Sequence, residues 1–292
     1  MINLHLTFII SLIFGLSACA TQHRGQRGVY LTPNANIQLG TQKCKTDDSK
    51  NTWAVIIGVN DYRDPGIPDL SGAAQDAWSF YHYLTHSRGA QVHPLRAKLL
   101  INERATKANI EEALGEFLTQ ACPKDQVIIY FAGHGAPEPD RPDDAFLLTH
   151  DTRLSKLVST ALSMHQLPQF LTWRANSAGK LILLVDACHS GSLQFPGSRG
   201  FTQVSNQGNN VEKIRVKALL KSLSTVSNTQ SGWGVISSSA ADQLSGEGGR
   251  DCHVGEHTYS GGTFTCALLN AIHHSNDKDQ NGELSYDELY WA

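Results

Sequence analysis

The stretch Leu181-Ile-Leu-Leu-Val-Asp186-Ala-Cys188-His-Ser-Gly191 decides how the rest of this 292-residue chain is read. Five aliphatic residues run unbroken into Asp186, Cys188 and a Ser-Gly turn. Such a run reads as a central strand buried on both faces. Alternation along a strand predicts that Asp186 and Cys188 leave one face, with Ala187 and His189 on the other. A second apolar run, Val127–Phe131, leads into Ala132-Gly133-His134-Gly135, read as the end of its strand. As parallel neighbours, the two strands would bring Cys188 and His134 together at the carboxyl edge, where chemistry collects in open α/β sheets. A thiol beside an imidazole there is a nucleophile with its base.

Outward from that pair, strands are predicted at Trp53–Val59, Ala97–Ile101, Ala145–Leu148 and Trp233–Ser237. Helical spacing of apolar residues marks 72–87, 110–121, 164–173 and 264–272. Glu111 and Glu112 are expected in the first turn of the second helix, where the dipole favours acids. Alternating strands and helices give an α/β chain with a mostly parallel sheet covered on both faces. A length of 292 residues and 40% hydrophobic content suit one large domain with appendages. A net charge of −3 gives no case for nucleic acid or an anionic membrane surface.

The first 18 residues are set aside from the fold. Leu6–Ala18 is a short apolar run suited to a signal peptide, and Leu16-Ser17-Ala18-Cys19 resembles the lipobox of bacterial lipoproteins. That resemblance implies cleavage before Cys19 and lipid on its thiol; a secretory signal or an uncleaved anchor is the alternative. Residues 19–50 read as a polar tether. Ala20 after the lipidated cysteine points to an outer-membrane, periplasmic or surface location in a Gram-negative source. Export permits disulfides. Cys44, Cys122, Cys252 and Cys266 allow three pairings, and Cys44 with Cys122 is the expected one, because each precedes a predicted strand.

His134 precedes Cys188 by 54 residues. Ala132-Gly133-His134-Gly135 and Asp186-Ala187-Cys188-His189-Ser190-Gly191 resemble the two signatures of caspase-like cysteine peptidases, nearest the metacaspase and bacterial caspase-like branch. The similarity covers about residues 51–275, including Leu70-Ser71-Gly72 with Asp76, and Gly261-Gly262-Thr263-Phe264-Thr265. It implies an α/β, caspase-like three-layer sandwich, with His134 as base, Cys188 as nucleophile, and Gly135 and the Cys188 N–H as the oxyanion hole. Leu70 stands where caspases carry the arginine that selects Asp. Asp76 and Asp186 match acidic positions of metacaspases, which implies cleavage after Arg or Lys. A pocket with two carboxylates attracts a guanidinium or ammonium and repels an acid. The family's serine two residues before the histidine is Ala132 here. Residues 193–230 form a basic insertion, with Arg199, Lys213, Arg215, Lys217 and Lys221 against Glu212, and are a candidate for self-cleavage.

Residues 276–292 carry an EF-hand-like calcium loop. Asp277, Asp279, Asn281, Glu283, Ser285 and Glu288 fall at ligand positions and Gly282 at the sharp turn. Calcium is therefore a candidate stimulator, and no organic cofactor is expected. The resulting reading is a lipid-anchored cysteine endopeptidase cleaving peptides at basic residues. A catalytically silent, calcium-responsive interaction module is the alternative, and an esterase or acyltransferase with the same dyad is a third.

Overall fold

Nine strands and five α-helices organise the described part of the chain, a computed structural model covering residues 44, 50–86, 89–137, 145–175, 178–188, 233–238, 250–255 and 257–274. Cys19, the 193–230 insertion and the 277–288 calcium loop lie outside the described residues. So do Asp140, Asp143 and Asp144, acids that follow His134 in the sequence. Five strands form a parallel core in the order β2 (Ala97–Ile101), β1 (Thr52–Gly58), β3 (Gln126–Pro137), β6 (Lys180–Cys188) and β7 (Trp233–Ser237). The far end of β3 pairs antiparallel with β4 (Ala145–Leu147), which pairs with β5 (Leu162–Ser163).

Period-two alternation sorts the core into two layers. Val55, Ile57, Val127, Ile129, Phe131, Leu183 and Val185 face one side, covered by α2 (Lys107–Glu112) with the turns after it and by α4 (Leu167–Arg174). Ala54, Ile56, Ile128, Tyr130, Ala132 and Leu184 face the other, covered by α1 (Ala73–Thr85) and α5 (Thr263–His273). The short α3 (Leu157–Thr160) adds to the first layer through Leu157. Each fully buried aliphatic side chain contributes about 1.5–3 kcal/mol relative to exposure, so the sheet is held from both faces.

Four expectations are corrected. The strand at 127–131 does not end before His134. It runs on to Pro137, because β4 supplies pairing partners once β1 has stopped at Gly58. Glu111 and Glu112 are not in a first turn. Thr106 caps the helix by accepting from the Asn109 N–H, so α2 starts at Lys107 and the two acids meet Lys107 and Lys98 instead. That helix is also not uniform to 121. It widens into a π turn at Ala113–Phe117, where Gly115 lies so close to Phe170 that a Cβ would come within 2.9 Å of the ring. The predicted helix from 164 begins at Leu167, with a proline in its first turn, because Leu162–Ser163 is held by β4.

A hairpin, β8 (Arg250–Val254) and β9 (His257–Gly261), was not anticipated. The disulfide Cys252–Cys266 ties it to α5, and Cys44–Cys122 joins the tether to the start of β3. Asp125 knots the same end. It accepts from the Asn51 N–H (2.9 Å), Trp53 Nε1 (3.0 Å) and the Cys122 N–H (2.9 Å), while 2% exposed.

Candidate active site

Strand pairing brings the two candidate residues together. His134 on β3 and Cys188 on β6 are direct Cα partners at the last rung of the parallel ladder, and Ala132 and Asp186 are partners one alternation earlier. His134 is 2% exposed. Its Nε2 lies 2.9 Å from the Pro68 carbonyl. A carbonyl accepts and never donates, so Nε2 carries the proton and Nδ1 is the basic nitrogen of the neutral ring. The Tyr62 ring stacks on the imidazole at 5.2 Å, and its hydroxyl accepts the His134 N–H at 2.8 Å.

Tyr62 and Pro68 both belong to the segment between β1 and α1. That segment is pinned by side chains rather than by regular structure. Asn102 Oδ1 accepts from the Asn60 N–H, Asp69 from the Tyr62 N–H and Asp64 from the Leu154 N–H. Periodicity offered no signal for Tyr62 or Pro68, since their turn-rich segment has none.

Backbone direction places Gly135. The N–H of His134 goes to Tyr62 and its carbonyl accepts from the Leu148 N–H, both on the side of β1 and β4. The next residue of the strand therefore aims its N–H to the opposite side, toward the end of β6 where Cys188 sits. The Gly135 N–H thus faces the β6 side of its strand.

The two acids predicted to select the substrate come together. Asp76, in the first turn of α1, is only 4% exposed and is no helix-surface acid. Its Oδ1 accepts the Gly262 N–H at 2.6 Å. A Cβ on Gly262 would lie 3.0 Å from Asp76 Oδ2 and 3.7 Å from Asp186 Oδ2, so both carboxylates reach one point above this glycine. Burial pushes the Asp186 carboxyl above its ordinary value, and hydrogen bonds from Ser238 and Thr265 pull it part-way back. Leu70 packs against the apolar core. Among the described residues no group of three or more His, Cys, Asp or Glu is placed to hold a metal ion.

A parallel ladder carrying His and Cys on one rung, with a family model for the caspase domain matching residues 51–289, decides the assignment. The chain belongs to the caspase-domain family. That family is one of cysteine peptidases, and its three-layer α/β sandwich is the fold described above. The match continues to residue 289, past the boundary at 275 expected from the motifs. Metacaspase-1A of Aspergillus oryzae is 27% identical over 157 residues, 49% of this chain and 35% of that protein. Metacaspase-1 of Eremothecium gossypii is 24% identical over 185 residues, 59% of this chain and 38% of that protein. The matched stretches thus span little more than a third of either metacaspase. A solved structure of a Geobacter sulfurreducens protein covers 82% of this chain and 87% of its own, at 20% identity and a TM-score of 0.50, a likeness of fold.

Proposed function

We propose that this caspase-domain chain is a cysteine endopeptidase that cuts after Arg or Lys, with His134 as base and Cys188 as nucleophile. The observation that carries the reading is the shared rung of His134 and Cys188, with the imidazole held by Pro68 so that Nδ1 is its basic nitrogen. In the first step the thiol proton passes to the imidazole and the sulfur bonds to the scissile carbonyl carbon. The carbonyl oxygen, now negative, is held by the N–H groups of Gly135 and Cys188. The carbon–nitrogen bond then breaks, and the imidazolium gives its proton to the leaving amine. Water, deprotonated by the same imidazole, cleaves the thioester and restores the thiol.

Selection of a basic residue is supported by Asp76 and Asp186 converging over Gly262 with Leu70 where an Asp-selecting site needs a cation. Two disulfides fit an oxidising compartment, which supports export and a lipid tether at Cys19. The loop Asp277, Asp279, Asn281, Glu283, Ser285 and Glu288 offers oxygen donors alone, the donor set of a calcium site. Calcium held there would stimulate the enzyme.

A fluorogenic tetrapeptide panel varied at the residue before the cleaved bond tests the proposal. Arg and Lys peptides are expected to lead, and turnover is expected to vanish in Cys188→Ala. Faster cleavage after Asp would overturn the specificity, and no turnover with or without calcium would favour an interaction module.

A further inference from the structure

His150 is another buried histidine, 5% exposed, that the chemistry above leaves unused. It lies just past β4 and outside the dyad, yet its hydrogen bonds converge on Tyr62, which grips the dyad's imidazole. Its Nδ1 lies 2.7 Å from the Asp61 carbonyl. A carbonyl only accepts, so Nδ1 donates. The carbonyl of His150 accepts the Arg63 N–H at 2.9 Å. Asp61 and Arg63 flank Tyr62, so one residue holds the peptide unit on each side of the tyrosine. A peptide unit is planar, and fixing two successive planes fixes φ and ψ between them. The allowed side-chain rotamers follow from that backbone.

The circuit closes on the catalytic strand. Leu148, two residues before His150, donates its N–H to the His134 carbonyl at 2.9 Å, and the Tyr62 hydroxyl accepts the His134 N–H. The stretch 148–150 thus grips His134 through its first residue and, through its last, the tyrosine that grips it again. The Tyr62 N–H donates to Asp69 Oδ1 at 3.1 Å, and Asp69 follows Pro68, whose carbonyl meets His134 Nε2. His150 is anchored away from the site, its N–H donating to the Ala105 carbonyl between β2 and α2 at 3.0 Å. There is little slack: a Cβ on Gly133 would stand 3.1 Å from the Tyr62 hydroxyl.

We infer that His150 is a positioning residue for the dyad: by clamping both peptide units of Tyr62, it holds the His134 imidazole in the pose that serves Cys188. This rests on the dyad reading above. His150 touches none of the reacting atoms and acts through Tyr62.

The test compares three variants. His150→Asn keeps an amide N–H that can stand in for Nδ1, His150→Gln carries that amide one bond farther out, and His150→Ala has none. For an Arg peptide below the melting range, the Gln and Ala variants are expected to lose about tenfold in kcat with KM held, the scale of one buried hydrogen bond. The Asn variant should stay near wild type. Tyr62→Phe separates positioning from support of the fold. If His150 acts through the tyrosine, adding His150→Gln to Tyr62→Phe lowers kcat little further, whereas independent losses would multiply to about a hundredfold. A wild-type kcat in His150→Gln, an Asn variant as impaired as Gln, or multiplied losses in the double variant would overturn the inference. Should His150→Ala not fold, the Asn and Gln pair decides. If the wild type cleaves no peptide, the peptidase reading fails by itself, and the clamp is read from the nitrogen NMR shifts of the His134 ring. A single Nε2–H tautomer is expected in wild type and His150→Asn, and a mixture in His150→Gln; identical shifts in all three reject the clamp.

Discussion

Tyr62 grips His134 twice, through a ring stack at 5.2 Å and a hydroxyl that accepts the histidine's N–H at 2.8 Å. The pair belongs to different elements, so the segment after β1 sets the pose of a residue on β3. Tyr62→Phe keeps the stack and removes the acceptor. It is expected to lower kcat about tenfold and stability by about 1 kcal/mol, the net worth of one neutral hydrogen bond. Single-turnover kinetics beside urea melts check this, and an unchanged kcat would detach Tyr62 from the chemistry.

Asp186→Asn separates affinity from stability. Burial raises the wild-type carboxyl, so between its unfolded and folded pKa the native state binds more protons than the unfolded one. Its contribution is therefore full in acid and lost as pH rises through the folded value. The Asn variant is expected to melt higher than wild type at neutral pH, with the gap closing near and below the ordinary 3.8. Hydrolysis after Arg should fall about a hundredfold, the scale of losing one partner of a desolvated charge pair. Melting curves from pH 3 to pH 8 that stay parallel for the two proteins would contradict the assignment.

Gly262→Ala places a methyl 3.0 Å from Asp76 Oδ2 and 3.7 Å from Asp186 Oδ2. Crowding at that point is expected to raise KM for Arg peptides about tenfold, the usual scale of overpacking. Alkylation by iodoacetamide, which needs no specificity pocket, should proceed at the wild-type rate. Equal losses in both assays would mean that the glycine supports the fold rather than the pocket.

Asp125 tests the opposite end of the sheet. Asp125→Ala leaves the Trp53 Nε1–H and the Cys122 N–H without their acceptor, a cost of about 3 kcal/mol. Reduction of Cys44–Cys122, which closes a loop of 78 residues, removes about 4 kcal/mol in the chain-entropy model. Denaturation midpoints should fall in both cases while turnover below the melting range stays normal. A large drop in kcat for Asp125→Ala would show coupling between the two ends.

Legibility from sequence followed the range of the interactions. Leu181–Asp186 and Val127–Phe131 were readable because a buried parallel strand is an apolar run, and the ladder then aligned His134 with Cys188. The continuation of β3 past Phe131 was hidden, since Gly133 and Gly135 look like turn residues until β4 is present to pair with them. The hairpin 250–261 is short and polar, and its anchor is a disulfide rather than a pattern. Asp76 meets Gly262 across 186 residues, and Tyr130 meets Thr265 across 135. No local period encodes such contacts. The motifs therefore indicated Asp76 and Asp186, and the Gly262 N–H that meets Asp76 emerged only with the packing around the start of α5.

The central claim is that Cys188 is a nucleophile activated by His134 in a pocket for a basic side chain. Its most direct test is the rate of covalent labelling by a peptidyl-Arg chloromethyl ketone, read by intact mass and peptide mapping, with and without calcium. One adduct on Cys188 is predicted, absent in Cys188→Ala, strongly slowed in His134→Ala, and much slower with the Asp analogue. An adduct that forms on Cys188 equally fast in His134→Ala, or no adduct under either condition, would contradict it.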